Sequence, residues 1–161
     1  MPLISSTISS ALESLFAANP SSPAEAAQEW ARGYVSYASS AMSSVSSQAI
    51  TAQANLGILV PSFTSALEAR SSSGAGGLMA AGVMAFWTAM VWVGPTAAGA
   101  TIVPGNFSLA SELTSIFEDL DEKSALDKAS ELADAFDNGA KSVMVMDILY
   151  ATGVPVTGPI T

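Results

Sequence analysis

The chain has 161 residues, half of them apolar, with no cysteine, no histidine and a formal charge of −9 from 14 acids against five bases. Lacking both residue types, it offers no disulfide, no Ser-His or Cys-His nucleophile pair and no imidazole metal site, so an enzyme built on it would have to run on carboxylates and lysines. Five scattered bases make no positive stripe, so direct nucleic-acid binding is not expected and anionic lipid headgroups are disfavoured.

The opening MPLISSTISSALESLF lacks the basic and apolar regions of a secretory signal, and no export by that route is expected. Three-and-four spacing of Ile4, Ile8, Leu12, Leu15 and Phe16 predicts a short amphipathic helix that Asn19-Pro20 stops. Ser22-Pro23-Ala24-Glu25 then combines a capping serine, a proline at the first helical position and a glutamate at the third, predicting a helix from Pro23 to about Ser44. Trp30, Tyr34 and Tyr37 lie on its apolar stripe.

Ser43 to Gln53 reads as a connection, and Pro61 reads as a helix start within the apolar segment Leu56 to Leu67. Ser71 to Gly77 has the composition of a flexible hinge. It leads into GLMAAGVMAFWTAMVWVG, residues 77–94, with Thr88 as its only conventional polar side chain. Eighteen helical residues at about 1.5 Å each span roughly 27 Å, just short of a bilayer core. Tryptophans inside the run instead of at its ends, and no flanking base nearer than Arg70 and Lys123, favour a central helix buried in protein over a membrane span.

Residues 95–107 read as an irregular loop, with β character at Thr101-Ile102-Val103 and a turn at Pro104-Gly105. Ser108 caps a helix carrying Leu109, Leu113, Ile116 and Phe117. Ser124 begins a last long helix, apolar along Leu126, Leu132 and Phe136, with Asp127, Lys128, Glu131, Asp134 and Asp137 on its polar side. Val143 to Met146 either continues that helix or breaks into a strand, and residues 151–161 form an extended tail punctuated by proline and glycine. Acid is concentrated late: residues 1–111 carry four acids and two bases, residues 112–161 ten acids and three bases.

No catalytic motif survives inspection. Asp119-x-Asp121 lacks the glycine and glutamate of a calcium loop, Gly139-Ala140-Lys141-Ser142 has the wrong order for a phosphate loop, and Ser124 with Lys128 reads as a cap beside a charged face. The expected fold is all-α: one helical bundle of five or six helices over residues 1–150, with the irregular loop at 95–107 and the tail at 151–161. Trp30, Tyr34, Phe86, Trp87 and Trp92, with Ile102 and Val103 of the loop and Val154, Val156 and Ile160 of the tail, are the candidate subunit contacts.

The order of these elements resembles small virion structural proteins of tailed bacteriophages: a short opening helix, AAQEWARGYVSYASSA, the Phe86-Trp87 pair, a Pro104-Gly105 turn, AFDNGAKSVMV and a Pro/Gly tail. The spacing Ala26-Ala27-x-x-Trp30-Ala31-x-x-Tyr34-x-x-Tyr37-Ala38-x-x-Ala41 carries most of the likeness. The resemblance implies a non-enzymatic component of the particle, at the head-tail neck or in the tail. It would be assembled in the host cytoplasm as a homo-oligomeric ring in contact with copies of itself and neighbouring virion proteins, with no cofactor. The alternative from the residues alone is a membrane-active helical protein that inserts residues 77–94.

Overall fold

Serine caps set where three of the helices begin, whereas Ser108, expected to cap another, precedes it without a side-chain cap bond and donates to Glu112 instead. The computed structural model describes residues 3–50, 56–104, 108–119 and 123–161. Its helices are α1 (Ser5–Ala18), α2 (Pro23–Ala38), α3 (Leu56–Leu67), α4 (Ser72–Thr88), α5 (Leu109–Glu118) and α6 (Ala125–Ser142). Ser22 accepts the Glu25 N–H at the head of α2, and Ser124 forms a reciprocal capping box with Asp127 at the head of α6. Ser71 accepts the Gly74 N–H at 3.1 Å and starts α4.

That last cap corrects the hinge expected at Ser71 to Gly77, because Ser72 onward is helical. The glycines serve close packing there: a Cβ at Gly76 would lie 2.5 Å from Thr114 Oγ1 and 2.8 Å from the Thr114 backbone nitrogen on α5. Pro61 is likewise no helix start, since α3 already runs from Leu56 and carries it inside. The helix from Pro23 ends at Ala38, earlier than expected, where Ser39 and Ser40 turn their hydroxyls back onto the Ser36 and Tyr37 carbonyls.

The all-α expectation is overturned. Four strands, β1 (Val91–Val93), β2 (Ala97–Ile102), β3 (Met144–Leu149) and β4 (Pro155–Pro159), form one antiparallel sheet in the order β1-β2-β3-β4. The apolar run 77–94 is therefore no single helix: α4 ends at Thr88, and Val91 turns into a hairpin that closes with a Gly94 N–H to Ala97 carbonyl bond of 2.9 Å. The irregular loop expected at 95–107 holds β2 over Ala97–Ile102, while residues 105–107, with the turn glycine, lie outside the described residues. Val143 ends α6 and the chain breaks into β3, and the extended tail pairs with it as β4.

Helix α4 packs against α3, α5 and β2, while α1 lies on α2 and α6. An aromatic cluster fills the space between the helices: Tyr34 and Phe136 have ring centroids 5.3 Å apart, Tyr34 and Phe86 5.6 Å, and Trp30 and Phe136 6.2 Å. The sheet meets this core through one face only. Trp92, Ala97, Thr101, Val145 and Asp147 point inward and are buried, and the Thr101 hydroxyl donates to the Trp87 carbonyl at the end of α4.

Candidate assembly surface

Most of the residues expected to make subunit contacts are spent inside the chain. Trp30, Tyr34, Phe86, Trp87, Trp92 and Ile160 are all buried, and Val103 is half-buried against the same core. Their side chains are covered by the protein's own helices and present no surface to a partner. Ile102, Val154 and Val156 are exposed.

Two pairs of polar groups are hydrogen-bonded within this core, while Trp92 Nε1 and Asp147 Oδ1 are buried without a partner among the described residues. Trp87 Nε1–H donates to Tyr34 Oη at 2.7 Å, and Tyr37 Oη–H donates to Asp137 Oδ1 at 2.6 Å. Burial pushes both phenols above the ordinary tyrosine range, and for Tyr37 the hydrogen bond to Asp137 adds to the effect. Asp137 thus departs from the polar side of α6 expected for it: it is buried, and Lys141 caps it from solvent at 2.5 Å. On the surface, Lys123 is held above its usual range by hydrogen bonds to Asp119 and Glu131, and Glu131 is held low by Lys123. Lys128 reaches Asp119 at 3.0 Å. These exposed pairs are a solvated charged face of small energetic weight. Asp121, part of the Asp119-x-Asp121 motif, lies outside the described residues; among those described, no cluster of three or more acids is arranged to hold a metal ion.

What the core leaves uncovered is the other face of the sheet. The pairing register puts Val93, Ala98, Ile148 and Pro155 in one row, Val91, Ala100, Met146 and Thr157 in the next, and Ile102, Met144 and Pro159 in a third. Thr157 is the only polar side chain among them and none is charged. Val93 is 82% exposed, Val91 69% and Ile148 45%. Strands about 4.8 Å apart and rows about 6.8 Å apart give this face a flat footprint of roughly 400 Å². Patches of that size on a monomer are often functional.

The two edges of the sheet differ. Val143 and Ile160 are joined by the Ile160 N–H to Val143 carbonyl bond of 3.2 Å, so Val156 and Gly158 face β3 while Pro155, Thr157 and Pro159 face outward. Proline removes the donor at two of those three positions, and Ser44 N–H takes the Pro159 carbonyl at 3.3 Å. At the opposite edge the Gly94 to Ala97 and Thr101 to Met90 bonds fix Met90, Trp92 and Gly94 toward β2. The N–H and C=O groups of Val91 and Val93 therefore point away from β2, and among the described residues no backbone hydrogen bond reaches them.

Sequence reasoning missed Val91, Val93, Met144, Met146 and Ile148. Their signal is an alternation of period two, V-x-V at 91–93 and M-x-M-x-I at 144–148, hidden because the intervening residues Trp92, Val145 and Asp147 are mostly apolar and also buried. Among the described residues no helix is long and apolar enough to cross a membrane. No protein-family model matches this chain, and neither the curated proteins nor the solved structures include one significantly similar to it.

Proposed function

We propose that this protein is a non-enzymatic structural subunit that assembles with copies of itself and with neighbouring proteins of a larger particle, using the bare face of its sheet as a contact. The observation that carries this is the charge-free apolar face of Val91, Val93, Ile102, Met144, Met146 and Ile148. A chain of net charge −9 repels its own copies, and this face is where they approach without bringing carboxylates together. Its footprint is about half of the ~800 Å² that each partner buries in a standard interface, so the face supplies the apolar centre of a contact whose rim comes from its surroundings. The tailed-phage setting, at the neck or in the tail, rests on the sequence likeness in α2, at Phe86-Trp87 and in AFDNGAKSVMV.

Sedimentation velocity of the full chain across a concentration series tests the contact. Wild type is expected to associate as concentration rises, and Ile148→Lys, which places a charge at an exposed position on the face, is expected to remove the largest species without altering the circular dichroism spectrum. Assembly by Ile148→Lys indistinguishable from wild type contradicts the assignment of this face.

A further inference from the structure

We infer that the open edge of β1 is a second contact: it pairs antiparallel with β1 of another copy about a two-fold axis passing beside Trp92. The inference rests on the reading of the chain as an assembly subunit, and it concerns the edge of the sheet instead of its face.

Three observations carry it. First, among the described residues nothing pairs with the backbone groups of Val91 and Val93, and the strand Val91–Val93 has no proline and no charge, since residues 71–111 contain no acid or base at all. An open, uncharged edge of β-branched residues is a template for strand addition unless something blunts it. Second, the other edge is blunted by Pro155, Pro159 and the Ser44 bond. One copy cannot add its β4 edge to the β1 edge of the next, so a second copy has only the same β1 edge to offer, which makes the contact two-fold. Third, a groove of about 280 Å³ lined by Gln48, Ala49, Trp92 and Pro95 lies along this edge, giving an added strand side-chain contact beside its backbone bonds.

The register follows from which groups are free. With Trp92 opposite Trp92 of the second copy, Val91 stands opposite Val93 of the second copy and Val93 opposite its Val91. Each of these pairs exchanges both backbone hydrogen bonds, which satisfies every open group of the two residues. The valine side chains then meet on the outer face as cross-strand neighbours. A two-fold contact closes on itself and makes pairs, so a ring of such copies uses another surface for its head-to-tail contact, and the sheet face remains free for that.

The test uses charge exchange. Val91→Lys/Val93→Lys places like charges opposite one another across the axis, and Val91→Glu/Val93→Glu does the same with the opposite sign. Each alone is expected to lose the two-copy species in sedimentation, and an equimolar mixture is expected to restore it as a heterodimer. Val93→Pro, which removes one outward N–H at an exposed edge position, is a second variant expected to lose the pair, and circular dichroism reports whether each variant is folded. In Ile148→Lys the pair is expected to persist, because Ile148 lies on β3 away from the edge. A mixture that stays monomeric overturns the edge contact, and a folded Val93→Pro that pairs like wild type overturns it while leaving the face contact standing, because proline keeps that face uncharged. Assembly lost on the face but pairing kept at the edge is the converse result.

Discussion

Gly76 and Gly77 are adjacent on α4, yet the structure assigns opposite signs to the same substitution. Alanine in place of glycine in a helix gains roughly 1 kcal/mol through propensity and a less free unfolded chain. At Gly77 an added Cβ meets nothing within 4 Å, so the gain is kept whole. At Gly76 it would sit 2.5 Å from Thr114 Oγ1, 2.8 Å from the Thr114 backbone nitrogen and 3.0 Å from the Ala110 carbonyl. A hydroxyl can rotate away, but two backbone atoms of α5 cannot, so α4 and α5 must separate. Overpacking of that kind costs about 1–3 kcal/mol, and contact with backbone places Gly76→Ala at or above the upper end. Gly77→Ala is therefore expected to stabilise by about 1 kcal/mol and Gly76→Ala to destabilise by about 2 kcal/mol net. In a chain of this size that corresponds to shifts of roughly +2 to +4 °C and −4 to −8 °C in Tm. Urea unfolding followed at 222 nm, with m-values compared to confirm a common unfolded state, measures both. If both variants gain about 1 kcal/mol, residues 72–77 are not packed on α5, and the flexible segment expected from their composition was the right description.

Two further outcomes follow from the buried polar groups. Tyr34 and Tyr37 have folded pKa values raised above the ordinary tyrosine value of 10.0, so the unfolded chain loses protons first. Their contribution is fully present below pH 10 and falls as pH rises beyond it, by about 1.4 kcal/mol per pH unit for each tyrosine. Alkaline unfolding should then carry the tyrosinate absorbance of these two residues with it, and its appearance in still-folded protein would contradict their burial. Tyr34→Phe leaves the Trp87 indole N–H buried without its acceptor and should cost about 1–3 kcal/mol in the same urea assay, whereas a cost near zero means the bond contributes nothing.

The helices were legible because their signals are local. Ser22-Pro23, the start of the last helix at Ser124, and the stripe through Trp30, Tyr34 and Tyr37 are each set within a few residues, and they hold in the structure. The sheet was legible only in fragments, at Thr101-Ile102 and as one of two readings of Val143 to Met146, for two physical reasons. Its strands come from distant parts of the chain: β2 and β3 pair across the whole of α5 and α6, and no local pattern records such a partner. Their composition is also misleading, because β2 opens with Ala97-Ala98-Gly99-Ala100, small residues that suit the close approach of Trp92 and Asp147 over Gly99 and carry little strand propensity, so only Thr101-Ile102 showed β character. β1 inherits its hydrophobicity from α4 without a break, so Gly77 to Gly94 reads as one helix until Val91 and Val93 are seen to alternate with Trp92. The aromatic candidates for subunit contact are buried for a related reason, while Ile102, Val154 and Val156 are exposed. Large aromatics mark either a core or an interface, and a chain with only 12 of them needs most inside.

That allocation bears on how the surface works. The aromatic residues that stabilise the fold lie between helices, and the sheet contributes to the core through its inner side alone, with Trp92, Thr101, Val145 and the buried Asp147. Asp147 is the sheet's single acid, and it is turned away from the outer face and hydrogen-bonded by Ser43 Oγ at 2.6 Å. The remaining acids lie on helices and their connections, most of them on or around α5 and α6. Charge is thereby separated from the apolar sheet face by the fold itself, and residues such as Val93 and Ile148 can be changed with little effect on the core, since substitutions at exposed positions usually cost within about 0.5 kcal/mol. A face this apolar, held outside the core, is the surface on which the proposed assembly contact rests. Between copies of a chain this acidic, the uncharged face and edge are where approach meets the least repulsion.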